Sequence, residues 1–136
     1  MGAEMLETDV QEEGSLVHVE QVTLENFSEF PPEIDGCSCY FSGNKEDFKQ
    51  GDYLFISNYE KLAFVKIEDE LIRFKMIEEK EESYNTIWQD EGGRIMVLET
   101  VEMGQVDETW QYEGVLTLMK ENIPIYKRTI NGECGC

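Results

Sequence analysis

The stretch YNTIWQ-DEGG-RIMVLETVEM, residues 84–103, decides the fold class. Its two flanking runs, Tyr84–Gln89 and Arg94–Met103, are rich in the β-branched and aromatic residues that favour strands. Between them lie Asp90-Glu91-Gly92-Gly93, and a glycine-containing connection of this length is typical of a β-hairpin. The stretch therefore predicts two adjacent antiparallel strands.

Strand candidates continue from this hairpin toward the C terminus. Gly104–Glu108 is expected to be a loop, and Thr109–Lys120 is the longest strand candidate of the chain. Gly114 lies on the same face of that strand as its apolar neighbours, which predicts a bulge or a bend there. The dipeptide Glu121-Asn122 then turns the chain into the strand candidate Ile123–Ile130.

Strand candidates also continue toward the N terminus. The charged stretch Glu78–Glu82 is expected to be a solvated hairpin tip or a frayed strand end. Asn44–Gly51 predicts one helical turn, with Asn44 as its N-cap and Gly51 as its terminator. The remaining strand candidates are Leu16–Leu24, Ser38–Ser42, Asp52–Asn58, Leu62–Ile67 and Leu71–Ile77.

The lengths of the connections predict the topology. Most connections between residues 52 and 130 span two to six residues, which suffices for hairpins but is too short for parallel crossovers. Consecutive hairpins form an antiparallel meander, and closure of the meander removes its exposed edges. We therefore expect an all-β fold of about eight strands, an up-and-down meander closed into a small barrel, with a two-sheet sandwich as the alternative. Residues 1–14 are acidic and are expected to form a flexible tail, and residues 15–136 a single β domain.

Four cysteines occur as two C-x-C pairs, Cys37 with Cys39 and Cys134 with Cys136. Residues i and i+2 of a strand point to the same face, so two such pairs on neighbouring strands could form two disulfide bonds. Antiparallel strands would join Cys37 to Cys136 and Cys39 to Cys134, and parallel strands would join Cys37 to Cys134 and Cys39 to Cys136. We favour the antiparallel pairing, because it brings Cα atoms within bridging range. The alternative is a structural Cys₄ metal site, which usually uses C-x₂-C spacing instead.

Charge is the strongest compositional signal. Thirty acidic residues against eleven basic ones give a formal net charge of −19, which disfavours binding to nucleic acids and to anionic membranes. No apolar run approaches the ~20 residues of a membrane span. A basic protein is therefore one candidate partner, although a highly charged surface commonly serves solubility alone.

No motif predicts catalysis or a cofactor. The chain has one histidine, His18, and neither Ser15 nor Ser28 lies in a nucleophile motif. Walker, dinucleotide-binding and EF-hand patterns are absent from the sequence. We expect a non-enzymatic protein. Its aromatic residues are expected to form the core, or to line a cavity for a small apolar ligand, with Trp88, Trp110, Tyr112, Tyr53, Phe55, Phe64 and Phe74 as the candidates.

Three stretches, Cys37–Ser42, Tyr112–Leu118 and Gly132–Cys136, resemble uncharacterised bacterial envelope proteins. Those proteins carry a cysteine-framed β domain behind a lipoprotein or secretory signal, a signal not visible in the first twenty residues of this sequence. The resemblance implies an exported domain of the periplasm or cell envelope that binds a ligand or partner. The alternatives are a cytoplasmic acidic inhibitor or immunity-type protein that binds a basic partner, and a Cys₄ metal-stabilised structural module.

Overall fold

The computed structural model describes residues 22–58, 61–80 and 84–135. These residues form eight strands and one short helix. The elements are β1 Ser38–Ser42, α1 Lys45–Gln50, β2 Phe55–Ser57, β3 Leu62–Ile67, β4 Glu70–Lys80, β5 Asn85–Asp90, β6 Ile95–Val106, β7 Thr109–Lys120 and β8 Ile123–Gly135.

The strands form a closed antiparallel up-and-down barrel. Each strand pairs with the next along the chain, and β8 returns to β1 in the register Cys39 opposite Cys134. The predicted all-β meander and its closure into a small barrel are therefore confirmed. Among the described residues, no helix is long and apolar enough to cross a membrane.

The hairpin at Asp90 is held by its own side chains. The Asp90 carboxylate accepts hydrogen bonds from the backbone N–H of Arg94 at 2.8 Å and from the Arg94 Nε at 2.7 Å. Asp90 is almost fully buried, so this ion pair is shielded from water. Two other turns, at Glu68-Asp69 and at Glu121-Asn122, have both residues at positive φ, as tight two-residue hairpins require.

The predicted helical turn is confirmed as α1. The Asn44 side chain accepts a hydrogen bond from the N–H of Asp47 at 2.7 Å, and Gly51 ends the helix in the left-handed conformation. This short helix packs against the outside of β1 and β8.

Several predicted boundaries differ from the structure. The expected loop at Gly104–Glu108 is wrong, because β6 continues to Val106 past a register shift between Glu102 and Gly104, and only Asp107-Glu108 form the turn. Strand β8 likewise continues beyond Ile130, because it pairs with β1 as well as with β7.

The first strand candidate, Leu16–Leu24, is not a strand in its described part. Residues 16–21 lie outside the described residues, as does the predicted tail 1–14. Residues 22–24 are not in a strand, and the chain makes only isolated bridges at Glu25 and Phe27. The eight strands of the barrel are therefore formed without this segment.

Gly114 lies at a close approach of two strands and not at a bulge. It pairs with Thr100 in an unbroken register. A Cβ atom placed on Gly114 would lie 2.0 Å from the carbonyl oxygen of Glu99. Only glycine therefore allows β6 to approach β7 this closely.

Two hydrophobic clusters lie on opposite sides of the barrel wall. The first fills the interior, and its largest fully buried side chains are Trp88, Phe41, Phe55 and Phe74. The second lies on the outside of β1–β3, where residues 27–34 of the N-terminal segment cover the wall. It consists of Phe27, Ile34, Ile56 and Phe64, with Tyr40, Tyr53 and Leu62 packed against it.

Candidate functional site

The antiparallel disulfide that the sequence predicts is present between Cys39 and Cys134. It joins β1 to β8 and closes the barrel across a sequence separation of 95 residues. Both cysteines are buried, at 0% and 4% exposure, so the bond is protected from thiols in solution. It is therefore a structural element of the barrel.

The second cysteine pair is described only in part. Cys37 is also disulfide-bonded, whereas Cys136, its predicted partner, lies outside the described residues. The bond between Cys39 and Cys134 already uses two of the four thiolates that a Cys₄ metal site needs, so that alternative does not fit this structure.

The aromatic residues that could line a cavity do not share one site. Trp88, Phe55 and Phe74 belong to the interior core and are fully buried. Tyr112 and Trp110 lie partly exposed on β7, and Tyr112 packs against the interior core. The other two, Phe64 and Tyr53, belong to the cluster outside the wall.

Strands β5, β6 and β7 also line a surface groove. A groove of about 310 Å³ runs along the outside of β5, β6 and β7. Outward-facing side chains that line the groove include Ile87, Val97 and Val101. Ile87 and Val97 form a cross-strand pair, and Val101 pairs with Glu113. We call the outward-facing residues Ile87, Val97, Glu99, Val101 and Glu113 the open face.

Two side chains, those of Thr100 and Asn85, separate β5 from β6 and so form one end of this groove. The Thr100 hydroxyl accepts from the N–H of Tyr84 at 3.1 Å and donates to the carbonyl oxygen of Tyr84 at 3.0 Å. The Asn85 side chain accepts from the N–H of Thr100 at 2.7 Å. These bonds replace the backbone ladder, which ends at the pair Thr86–Leu98. The two strands therefore diverge, and the groove lies where they do.

A second groove, of about 490 Å³, lies beside the first, between α1 and strands β7 and β8. The two grooves share Glu113 and Gly114. Lys45 of α1 lies 3.7 Å from the Glu113 carboxylate, and both side chains are exposed. An exposed pair of this kind contributes little to stability, so Glu113 remains accessible to a competing cation.

The far half of β6 carries exposed apolar side chains beside acidic ones. Val101, Met103 and Val106 are 60%, 57% and 60% exposed. The adjoining turn is acidic as well, since it consists of Asp107-Glu108. Large apolar side chains exposed close together on a monomer are typical of an interaction site.

On the opposite side of the barrel, the tyrosine hydroxyls lie in packed surroundings. Tyr40 donates a hydrogen bond to the Glu133 carboxylate at 2.6 Å. Burial raises the pKa of Tyr53, and the negative charges of Glu133 and Asp52 raise it further. The Tyr53 phenol is therefore neutral near neutral pH. Among the described residues, no group of three or more His, Cys, Asp or Glu side chains could hold a metal ion.

Comparisons with protein-family models, with curated proteins and with solved structures found no match. The resemblance to bacterial envelope proteins therefore stays a prediction. The open face was not predicted from the sequence. Its one signal is Ile95–Leu98, four consecutive apolar residues in a strand, which places apolar side chains on both faces of β6.

Proposed function

We propose that this protein is an exported, non-enzymatic β-barrel domain of the cell envelope that binds a protein partner through its open face. The observation that carries the proposal is the groove along β5–β7, in which apolar side chains lie among charged ones and Val101 is 60% exposed. Exposed apolar side chains are costly in water, and a docking partner removes that cost.

The packing of the barrel interior supports an external binding site. Eight-stranded barrels have an interior just wide enough for side chains or one small ligand. Here Trp88, Phe41, Phe55 and Phe74 occupy that space, each at 0% exposure. A small apolar ligand inside the barrel would have to displace these rings, so the outer surface is the better candidate.

The disulfide bond supports export. A buried bond between Cys39 and Cys134 is typical of proteins of oxidising compartments, such as the periplasm or the cell exterior. A cytoplasmic protein would meet reducing thiols during synthesis and folding.

Site-specific photo-crosslinking in the cells that produce the protein tests the proposal. A photo-reactive amino acid at Val101 should give a crosslink to one protein, because this side chain is exposed beside the groove. Leu71 is the matched control, since it is 43% exposed in β4 near the opposite end of the barrel. Crosslinking at Leu71 alone, or a stoichiometric small molecule in native mass spectra of the purified protein, would contradict the proposal.

A second candidate is a cytoplasmic acidic inhibitor-type protein, which the net charge of −19 favours. The two candidates differ in compartment. Alkylation of thiols in intact cells, followed by intact-mass measurement, separates them. An exported protein should reach the reagent with its cysteines already bonded, whereas a cytoplasmic one should carry alkylated thiols.

A further inference from the structure

We infer that the partner inserts one arginine side chain between Glu99 and Glu113, and that this arginine replaces Lys45 as the cation bound to Glu113. The inference rests on the proposed function and specifies what the partner presents to the open face. Its first support is the continuity of the two grooves. They share Glu113 and Gly114, so together they form one surface that runs across the strands from β5 to α1.

The register arranges the outward residues of this surface in two neighbouring rows. Each row contains one residue from β6, one from β7 and one from β8. The first row is Val101, Glu113 and Asn131, and the second is Glu99, Val115 and Thr129. Neighbouring strands lie about 4.8 Å apart, so each row is about 10 Å long. A short segment that crosses the strands therefore contacts both grooves.

The two carboxylates of these rows are diagonal neighbours. Glu99 pairs with Val115 and Glu113 pairs with Val101, so each acidic residue lies beside a valine and diagonally across from the other acidic residue. Diagonal positions across an antiparallel pair lie about 7–8 Å apart. A single cation between the two side chains therefore reaches both carboxylates.

Lys45 shows that a cation fits at Glu113, but it serves only one of the two carboxylates. Its Nζ lies 3.7 Å from the Glu113 carboxylate, and the two side chains are 78% and 44% exposed. Among the described residues, no basic side chain forms an ion pair with Glu99. Because two neighbouring negative charges repel each other, a cation that contacts both is held more tightly than one that contacts Glu113 alone.

The surrounding side chains favour arginine as that cation. A guanidinium presents five N–H donors in one plane, enough to bond two carboxylates, whereas a lysine ammonium acts as a point charge. The methylene groups of an arginine pack on apolar surface while its head stays in polar surroundings. Val101, which is 60% exposed, and Val115 supply apolar surface directly beside the two acidic residues.

A second copy of this chain is a poor occupant of the surface. Two copies would each bring a formal net charge of −19, and these charges repel each other. The arginine therefore belongs to a different protein.

Photo-crosslinking at Thr129, in the cells that produce the protein, tests whether the partner reaches the second groove. Thr129 is exposed and lines that groove. A photo-reactive residue there should crosslink to the same protein as one at Val101. Ile123 is the matched control, because it is 54% exposed in the same strand but lies outside the lining of the groove, and it should give no crosslink.

The crosslinked peptide reports the chemistry of the partner. It is released with a protease that does not cleave at basic residues and is sequenced by mass spectrometry. The partner peptide attached at Val101 should contain an arginine within about two residues of the attachment point, since an extended chain rises about 3.3 Å per residue. A partner peptide without arginine there, or a peptide of this chain, would overturn the inference.

Two charge variants test the exchange of cations at Glu113, because they should have opposite effects on the crosslink yield at Val101. Glu113→Gln removes the acceptor and should lower the yield about tenfold. Lys45→Met removes the competing cation and should raise the yield by up to about fivefold. Equal loss of yield in both variants would assign the ion pair a structural role and overturn the inference.

A second ion pair supplies the matched control for net charge. Lys66 lies 3.5 Å from Asp69, and its strand β3 is four strands away from β7 in either direction around the barrel. Lys66→Met and Asp69→Asn make the same two charge changes there and should leave the yield within about twofold of the parent. Changes at this pair as large as those at Lys45 and Glu113 would show a general effect of charge and overturn the inference.

The outcomes separate this inference from the proposed function. If Val101 crosslinks to a partner while Thr129 does not, or while Glu113→Gln leaves the yield unchanged, the inference is wrong and the proposed function stands. If neither position crosslinks, both are wrong.

Discussion

The two outer faces of the barrel differ in what covers them. On β1–β3, an apolar row that includes Tyr40, Ile56 and Phe64 is covered by the chain's own residues 27–34. On β5–β7, Ile87 and Val97 flank a groove, and no described segment of the chain lies over them as residues 27–34 do over β1–β3. The first face completes the fold, whereas the second is the face to which we assign the proposed partner.

Strand length gives a physical reason for the difference. Strands β1 and β2 have five and three residues, too few for a stable ladder alone. The covering segment supports them, and so does the disulfide at Cys39. The Glu33 carboxylate of that segment forms an ion pair with the Arg73 guanidinium of β4 at 2.9 Å. Strands β6, β7 and β8 have 12, 12 and 13 residues and pair along most of their length. Their outer face can therefore stay uncovered without loss of the fold.

Reduction of the disulfides should give the largest effect, and it should destabilise the two regions to different extents. The bond between Cys39 and Cys134 closes a loop across 95 residues. Chain entropy gives such a bond about 4–5 kcal/mol, so reductant should lower the free energy of unfolding by that order. Hydrogen exchange should accelerate first in β1 and β2, because their short ladders depend on the bond, while β6 and β7 stay protected.

The control for this experiment is the same protein with reductant omitted, at the same pH and salt. Equal acceleration in β1 and in β7 would mean that the two regions unfold as one unit. The comparison between a supported side and a self-sufficient side would then be wrong.

Truncation of one outward side chain on each face should give the next largest effect. Phe64 is 5% exposed under the covering segment, so Phe64→Ala should cost about 3–5 kcal/mol of stability. No segment in the described ranges covers Val97, so Val97→Ala should cost about 1 kcal/mol or less. Urea unfolding of both variants measures the difference, and similar costs would show that the open face is also packed.

Thr100→Val should have a moderate effect, confined to the groove. The substitution keeps the shape of the side chain but removes the hydroxyl that bonds the N–H and the carbonyl of Tyr84. Loss of partners for buried backbone groups costs about 1–3 kcal/mol. Thr100→Ser, which keeps the hydroxyl, is the matched control and should cost less. A stability loss in Thr100→Ser as large as in Thr100→Val would assign the effect to packing instead.

Local patterns predicted most of the fold. The turn residues at 90–93 and the lengths of the connections predicted antiparallel hairpins. The C-x-C spacing, together with the favoured antiparallel arrangement of the two segments, predicted the bond between Cys39 and Cys134. Alternation did not predict the end of β6, because the continuation past Glu102 depends on a register shift against β7. Contacts between distant residues decide such boundaries, and one strand's own sequence does not contain them.

The candidate site was less predictable than the fold. The outward position of Val97 depends on the register of its strand, and a shift of that register by one residue would turn the side chain inward. The groove depends on the divergence of β5 from β6, which three hydrogen bonds around Thr100 maintain. The sequence also did not predict that residues 27–34 cover β1–β3, because that segment makes only isolated bridges and has no strand pattern of its own.

The smallest expected effect is a loss of stability in alkaline solution that involves the covered side alone. Burial raises the pKa of Tyr53 above its ordinary value of 10.0, and the charges of Glu133 and Asp52 raise it further. A group whose folded-state pKa is raised binds its proton more tightly in the folded protein. It therefore contributes stability that is fully present below the unfolded-state pKa and is lost as the pH rises through the folded-state pKa.

Stability of the parent protein should accordingly fall as the pH is raised above about 10. Tyr53→Phe, which cannot ionise, should show a shallower fall over the same range. The measurement is urea unfolding from pH 9 upward. A second variant for comparison is Tyr84→Phe, because Tyr84 lies in the interior core and not on the covered face. Its hydroxyl is 2.6 Å from that of Ser57. Hydrogen exchange should assign the alkaline loosening in the parent to residues 27–34 and β2, next to Tyr53, and not to β6. If stability fell equally with pH in the parent and in Tyr53→Phe, the ionisation of Tyr53 would not be the cause of the alkaline loss.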